Sequence, residues 1–360
     1  MKIGILTFHN TTNYGATLQA YALSRTLKSS GADTIIVDYR NAGIENRERP
    51  QTWSSQHGVK NRVKWLIQNP FVCSKYRRFR DFSHKEFTFL PVDSAQPLVP
   101  QLEGLDAVVV GSDQIWNTGI TGDDWNYFLP GDKQGLRKYS YAASFGQSDF
   151  DNATKQRMAP LLKDFDALSV REQEGTRLAA DLTGKDVIQV VDPTLLLAKD
   201  EWMAVSETVD GAPVKYVLVY AIAEKARAIA TGKRIAAERG AKLVIIHSSD
   251  PVISKPVVGA KNYYSLSPAQ FVWLFQHADY TVTGSFHGLC FSVLMERDCS
   301  VILNSSKRNA NSRVFSLLQL LGLEDIAGEG IHHIDYAPIR TRLHDAKESS
   351  LSYLNLVLGE

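Results

Sequence analysis

Apolar residues fall along the chain in short runs separated by longer amphipathic stretches. The runs at residues 3–8, 34–39, 107–110, 138–144, 167–170 and 187–191 are too short for buried helices. They read as strands covered on both faces. Between them, 16–29, 152–163 and 172–182 carry apolar residues at helical spacing. The alternation then repeats. Strands are predicted at 216–221, 242–247, 280–283 and 301–303, helices at 224–239, 268–277, 287–297 and 313–321, with a tail helix at 336–358. Alternating strands and helices specify parallel sheets with crossover helices. The stretch before residue 107 breaks this rhythm and reads as irregular.

Residues 210–215, with Gly211 and Pro213, read as a linker. The pattern therefore divides into domains at 1–209 and 210–335, followed by a C-terminal helix at 336–360. A chain of 360 residues exceeds what one core usually accommodates. The expected fold is α/β, with two Rossmann-like parallel-sheet domains facing a cleft. In such sheets ligands bind beyond the carboxyl ends of the strands, which places the site between the halves.

Composition adds little: 44% hydrophobic and 22% charged residues are ordinary for a globular chain. Lys plus Arg number 40 against 39 Asp plus Glu, a balance that argues against a nucleic-acid partner. Locally the balance fails. From Arg49 to Arg80 there is no acid, while Arg49, Lys60, Arg62, Lys64, Lys75, Arg77, Arg78 and Arg80 all occur. This is either a solvated helical face or a patch for anionic lipid or a phosphorylated substrate. The three cysteines, Cys73, Cys290 and Cys299, fit neither a disulfide framework nor a zinc knuckle. No apolar stretch approaches the ~20 residues of a membrane span. The N-terminus reads as a first strand without a cleavage site. The expectation is a cytoplasmic protein, with peripheral contact to the inner membrane face through 49–80.

Candidate chemistry clusters just after strands. His9 to Gly15, containing Asn13, Tyr14 and Gly15, could be a ligand loop or a capped turn. In Gly111-Ser112-Asp113-Gln114-Ile115-Trp116-Asn117 the indole suits the apolar face of a sugar and Asp113 and Asn117 suit its hydroxyls. Asp113 could instead cap the next helix, and Trp125 could extend the same surface. Arg171 follows a strand and opens a helix, where its guanidinium could clamp a carboxylate or phosphate. Gly284-Ser285-Phe286-His287-Gly288 joins a strand to an apolar helix. His287 there has flanking glycines that would permit close approach of a ligand. Lys307, Arg308 and Arg313 suggest an anion site or a capped helix start, and His247 is a weaker candidate. No metal spacing and no Gly-x-Ser-x-Gly elbow occur, so no metal and no bound cofactor are expected.

The order of these motifs resembles the polysaccharide pyruvyl transferase family. It runs from Asn13-Tyr14-Gly15 with Leu18-Gln19, through Gly111-Ser112-Asp113-Gln114 with Trp116-Asn117 and Ser169-Val170-Arg171-Glu172, to Asp192-Pro193-Thr194 and Gly284-Ser285-Phe286-His287-Gly288. The resemblance extends from the first strand to about Leu323. It implies a glycosyltransferase-B-like fold and transfer of pyruvate from phosphoenolpyruvate to a sugar, usually as a ketal across two hydroxyls. It also implies that Arg171 and His287 lie at the donor. Some members carry an Arg two residues before this His, whereas Ser285 stands here, so Lys307, Arg308 or Arg313 must supply that charge.

On this reading His287 protonates the donor's methylene carbon, and Asp113 takes a hydroxyl proton or binds the acceptor. The donor contacts Arg171, Gly284, Ser285, Lys307, Arg308, Arg313 and His247. The acceptor, a saccharide of a bacterial-type surface polysaccharide or its lipid-linked precursor, contacts Asn13, Tyr14, Gly15, Trp116, Asn117 and Trp125. The main alternative is a nucleotide-sugar-dependent glycosyltransferase of similar architecture. A carbohydrate-binding module would need neither the cations nor His287.

Overall fold

The computed structural model describes residues 1–359 except 56, 134, 148 and 306–310, and leaves the side chains of Asn46 and Arg47 undescribed. Lys307 and Arg308 therefore lie outside the described residues.

The first half is built on β1 (Lys2–Leu6), β2 (Asp33–Asp38), β3 (Phe89–Pro91), β4 (Ala107–Val110) and β5 (Arg137–Ser140). They pair in parallel in the order β3-β2-β1-β4-β5. Two further parallel strands, β6 (Leu168–Val170) and β7 (Val187–Gln189), continue this edge through bridges at Tyr139–Ala167 and Ala143–Val170. The second half has β8 (Tyr216–Tyr220), β9 (Lys242–Ile246), β10 (Ala260–Tyr263), β11 (Tyr280–Thr283) and β12 (Cys299–Val301), again all parallel, in the order β10-β9-β8-β11-β12. Both sheets reverse direction of growth beside their first strand, and such switch points open a crevice at the carboxyl edge. The fold is thus α/β with two parallel sheets in a glycosyltransferase-B-like arrangement.

The central strands are apolar because both faces are covered: Ile3, Ile5, Val108, Val109, Val217, Leu218 and Val282 are fully buried. Strand β4, strand β11 and the helices Asn152–Lys163, Pro268–His277 and Tyr336–Leu358 lie where the pattern predicts them. The predicted strand at 138–144 instead stops at Ser140, and the one at 301–303 sits two residues earlier, at Cys299–Val301. Strands β3 and β10 escape prediction because they are edge strands with half-exposed residues. The basic stretch, irregular in its apolar rhythm, is a 28-residue helix, Val59–Glu86, which agrees with its reading as a solvated helical face. Its buried residues are Phe79, Phe82 and Ser83, near its end, so it has no core-facing stripe along most of its length.

Two features join the halves. Tyr14, at the start of helix Tyr14–Ser29, stacks on Phe271 of the second half at 4.5 Å, and its hydroxyl donates to the Leu266 carbonyl. The tail helix Tyr336–Leu358 begins on the second half, where Tyr336 Oη donates to the Arg297 carbonyl. It ends on the first, where Tyr353 Oη donates to the Ser140 carbonyl and Ser350 Oγ accepts from the Val191 amide. Among the described residues no helix is long and apolar enough to cross a membrane.

Candidate active site

Carboxyl ends of strands β4, β6, β7 and β11 converge on one buried cluster. After β7 the chain delivers Asp192, whose side chain is fully buried. Its Oδ1 accepts from the amide and hydroxyl of Thr194, which pins the carboxylate. Its Oδ2 accepts from Arg171 Nη1 at 2.6 Å and from Ser112 Oγ at 3.3 Å, and faces His287 Nε2 at 3.5 Å. Burial alone would raise the Asp192 carboxyl, but the His287 imidazole and the Arg171 guanidinium outweigh it and hold it well below the usual carboxylate range. Asp192 was visible only as part of a motif; no candidate role attached to it.

Arg171, one residue past β6, is also buried, and its Nη2 lies 3.6 Å from Asp113 Oδ1. Asp113 reaches back because its backbone is left-handed, φ 75°, a conformation Asp tolerates better than most residues. The Arg171 guanidinium stacks on the Phe286 ring, 4.6 Å from its centre, and Arg313 lies 6.0 Å from the same ring. Burial and the neighbouring Arg171 push Arg313 below the ordinary arginine value. With its amide oxygen turned inward, Gln114 accepts from both terminal nitrogens of Arg313, at 3.0 and 3.2 Å. Three buried nitrogens of the cluster, Arg171 Nε, Arg171 Nη2 and His287 Nε2, make no hydrogen bond among the described residues, the last two having only the longer carboxylate contacts at 3.6 and 3.5 Å. Buried donors are nearly always satisfied; these converge from two domains.

His287 lies in the first turn of helix Phe286–Leu294, which Ser285 caps by accepting from the Gly288 amide. Its ring packs directly on Gly15: a Cβ there would stand 2.0 Å from Nδ1. Gly15 is therefore the seat of the imidazole. The flanking glycines also serve the chain itself. A side chain on Gly284 would strike the Ile302 carbonyl, and one on Gly288 would strike Thr283 Oγ1. They allow close packing of the backbone at this corner, and Gly284 also lines the cavity above it.

A cavity of about 400 Å³ opens over this cluster, lined by Asp113, Gln114, Gly284, Ser285, His287 and Arg313 among others. Arg171 and Asp192 line a smaller one of about 180 Å³ behind Phe286 and Arg313. A third, about 310 Å³, shares Asn13, Glu48 and Ile222 with the first and adds Tyr14, Lys75, Tyr220, Ser248, Ser249, Asp250 and Tyr264. Burial lowers the Lys75 ammonium to about 8.

Several expected contacts are elsewhere. Trp116 is fully buried, stacked near Phe128 and donating from Nε1 to the Tyr127 carbonyl, so it is core and not a sugar platform. Trp125 packs on Phe128 beneath Arg157 and donates to Asp123, outside the cavities. Asn117 caps the short helix Thr118–Thr121. His247 stacks on Tyr264 at 4.3 Å and is engaged by Asn262; it does not line the His287 cavity. Among the described residues no group of His, Cys, Asp or Glu is arranged to hold a metal.

By sequence, no curated protein matches the chain. In three dimensions it is similar to a UDP-GlcNAc 2-epimerase of Methanocaldococcus jannaschii in complex with UDP-GlcNAc and UDP, at 12% identity with all of both chains covered and a TM-score of 0.49. The Neisseria meningitidis UDP-GlcNAc 2-epimerase gives 10% identity, full coverage of both chains and 0.49. The E. coli ADP-heptose LPS heptosyltransferase II gives 14%, 98% of this chain and 99% of that one, and 0.38. The polysaccharide pyruvyl transferase family model matches residues 13–306. With most of its length matched, including every strand end that contributes to the buried cluster, the chain belongs to the polysaccharide pyruvyl transferase family.

Proposed function

We propose that the protein transfers pyruvate from phosphoenolpyruvate onto two hydroxyls of a saccharide, forming a ketal, with His287 as the proton donor. The observation that carries this reading is the set of buried nitrogens on Arg171 and His287 with hydrogen-bonding capacity left unused, beside the Arg313 guanidinium. A small ligand with both carboxylate and phosphate matches such a set. Arg313 stands in the cavity where the Ser285 position lacks a cation, and is the described residue best placed to supply the charge.

Asp192 compensates the charge of a protonated His287 ring and fixes Arg171 at the same time. His287 gives a proton to the donor's methylene carbon, which takes it with the double-bond electron pair and leaves an oxocarbenium-like centre at C2. One sugar hydroxyl bonds to C2 and passes its proton to Asp113. A second bonds to C2 as the C2–O bond to phosphate breaks, and its proton leaves with the phosphate. The neighbouring cavity, with Tyr14, Tyr220 and Tyr264 beside Ser248, Ser249, Glu48 and Asp250, suits the mixed apolar and hydroxyl surface of a sugar. It takes the acceptor role first assigned to Trp116 and Trp125.

Incubation with phosphoenolpyruvate and a panel of galactosides and mannosides tests the proposal. The expected result is phosphate release with the mass gain of a pyruvyl ketal. Turnover of UDP- or CMP-sugars with none of phosphoenolpyruvate would overturn it.

A further inference from the structure

The first half of helix Val59–Glu86 has its polarity inverted. Val59, Val63, Leu66 and Ile67 are 80%, 52%, 56% and 52% exposed. At 3.6 residues per turn these positions fall on one stripe. The opposite side of the helix, with half-buried Trp65 and Gln68 and with exposed Asn61 and Lys64 at its rim, lines a cavity that includes Asp250. Gln68 Nε2 donates to Asp250 Oδ1, and Trp65 Nε1 donates to the Gln51 carbonyl. A helix that packs only on its own protein places its apolar stripe inward; this one presents it to solvent.

Charge says what covers the stripe. Lys60 and Lys64 flank it on one side and Arg62 on the other, at helical spacing. Beside them Trp53, 44% exposed, lies under the Arg62 guanidinium at 5.2 Å. No acid occurs from Arg49 to Arg80. An apolar stripe with basic flanks and an aromatic at its rim matches the acyl boundary and headgroups of an anionic membrane.

We propose that residues 59–67 dock the protein on an anionic lipid bilayer, the helix lying in the interface plane with Val59, Val63, Leu66 and Ile67 immersed. The surface stands on its own observations. One consequence rests on the transfer reading: the inward face of the same helix reaches Phe71, Val72 and Lys75 at the proposed acceptor cavity, so a lipid-linked saccharide would enter from the docked side.

Co-sedimentation of the full chain with phosphatidylcholine vesicles, with and without phosphatidylglycerol, tests the docking. Binding is expected to the anionic vesicles and to weaken with salt. Lys60→Glu, Arg62→Glu and Lys64→Glu together should weaken it roughly a hundredfold. Leu66→Asp with Ile67→Asp should abolish it while the circular dichroism spectrum stays unchanged. Wild-type protein remaining in the supernatant with anionic vesicles at low salt would overturn the proposal. So would a dimer that the Leu66→Asp, Ile67→Asp variant converts to monomer, because the stripe would then meet a second copy. Phosphate release with a soluble saccharide should be unaffected by either variant. If that release fails while vesicle binding holds, the transfer reading falls and the docking surface stands.

Discussion

The carboxyl edges of the two sheets share a topology and differ in chemistry. On the first edge, Asp113 and Asp192 hold the one guanidinium of Arg171 between them in a buried, pinned cluster. On the second, the described residues lining the cavity include His287 and Arg313 but no acid. The carboxylate nearest His287 belongs to the other domain, at 3.5 Å. One half therefore holds fixed, paired charge with a carboxylate to spare, and the other brings groups whose partners lie across the cleft. Preorganised charge of this kind costs no reorientation when a reaction develops new charge. A site divided in this way exists only while Tyr14 and the tail helix keep the halves together.

Substitutions on each side should therefore fail differently. On the second edge, His287→Ala is expected to lower turnover by about 10²–10⁴-fold with the fold retained; steady-state phosphate release near the wild-type rate would break the assignment. On the first edge, Asp192→Ala is expected to cost stability, about 3–5 kcal/mol, because it strands the Arg171 charge in the interior. Urea unfolding measures this, and a loss below about 1 kcal/mol would mean the first edge is not held by its ion pairs.

The same pair sets a pH signature. The folded Asp192 carboxyl sits below the ordinary value of 3.8. Its stabilisation is thus fully present above about pH 4 and is lost as pH falls below that, toward the folded value. Asp192→Asn should flatten the acid limb of unfolding free energy against pH; an unchanged limb would place the acid sensitivity elsewhere.

Gly15→Ala sharpens the dependence across the cleft. The new methyl would meet the His287 ring, and a displacement of about 1 Å can cost ~10²-fold in rate. Turnover should fall by roughly that factor without a matching loss of stability, and wild-type turnover would show that the ring does not need its seat. Trp116→Phe should have the smallest effect. It removes the bond to the Tyr127 carbonyl, worth about 1 kcal/mol, and should leave acceptor KM unchanged. A raised KM would return Trp116 to the site.

Much of this was legible because strands buried on both faces write themselves as unbroken apolar runs, and the polar residues at their ends then stand out. His287, Asp113 and Arg171 were found that way. Trp116 was misassigned because an aromatic past a strand end reads the same whether it turns into the core or toward the cleft. The helix Val59–Glu86 shows in the sequence only as a charged face, because its apolar positions change sides along its length, exposed at Val59, Val63, Leu66 and Ile67 and buried at Phe79 and Phe82.

The sequence by itself determined two parallel sheets, their helices and which strand ends carry polar chemistry, since each is fixed by local periodicity and local propensity. Only the tertiary structure decided that Asp192 binds Arg171 and faces His287, that Gly15 seats the imidazole, and that Arg313 reaches the same cavity. Those contacts join residues far apart in the chain, and their strength depends on a buried, low-dielectric setting that exists only where the two halves meet.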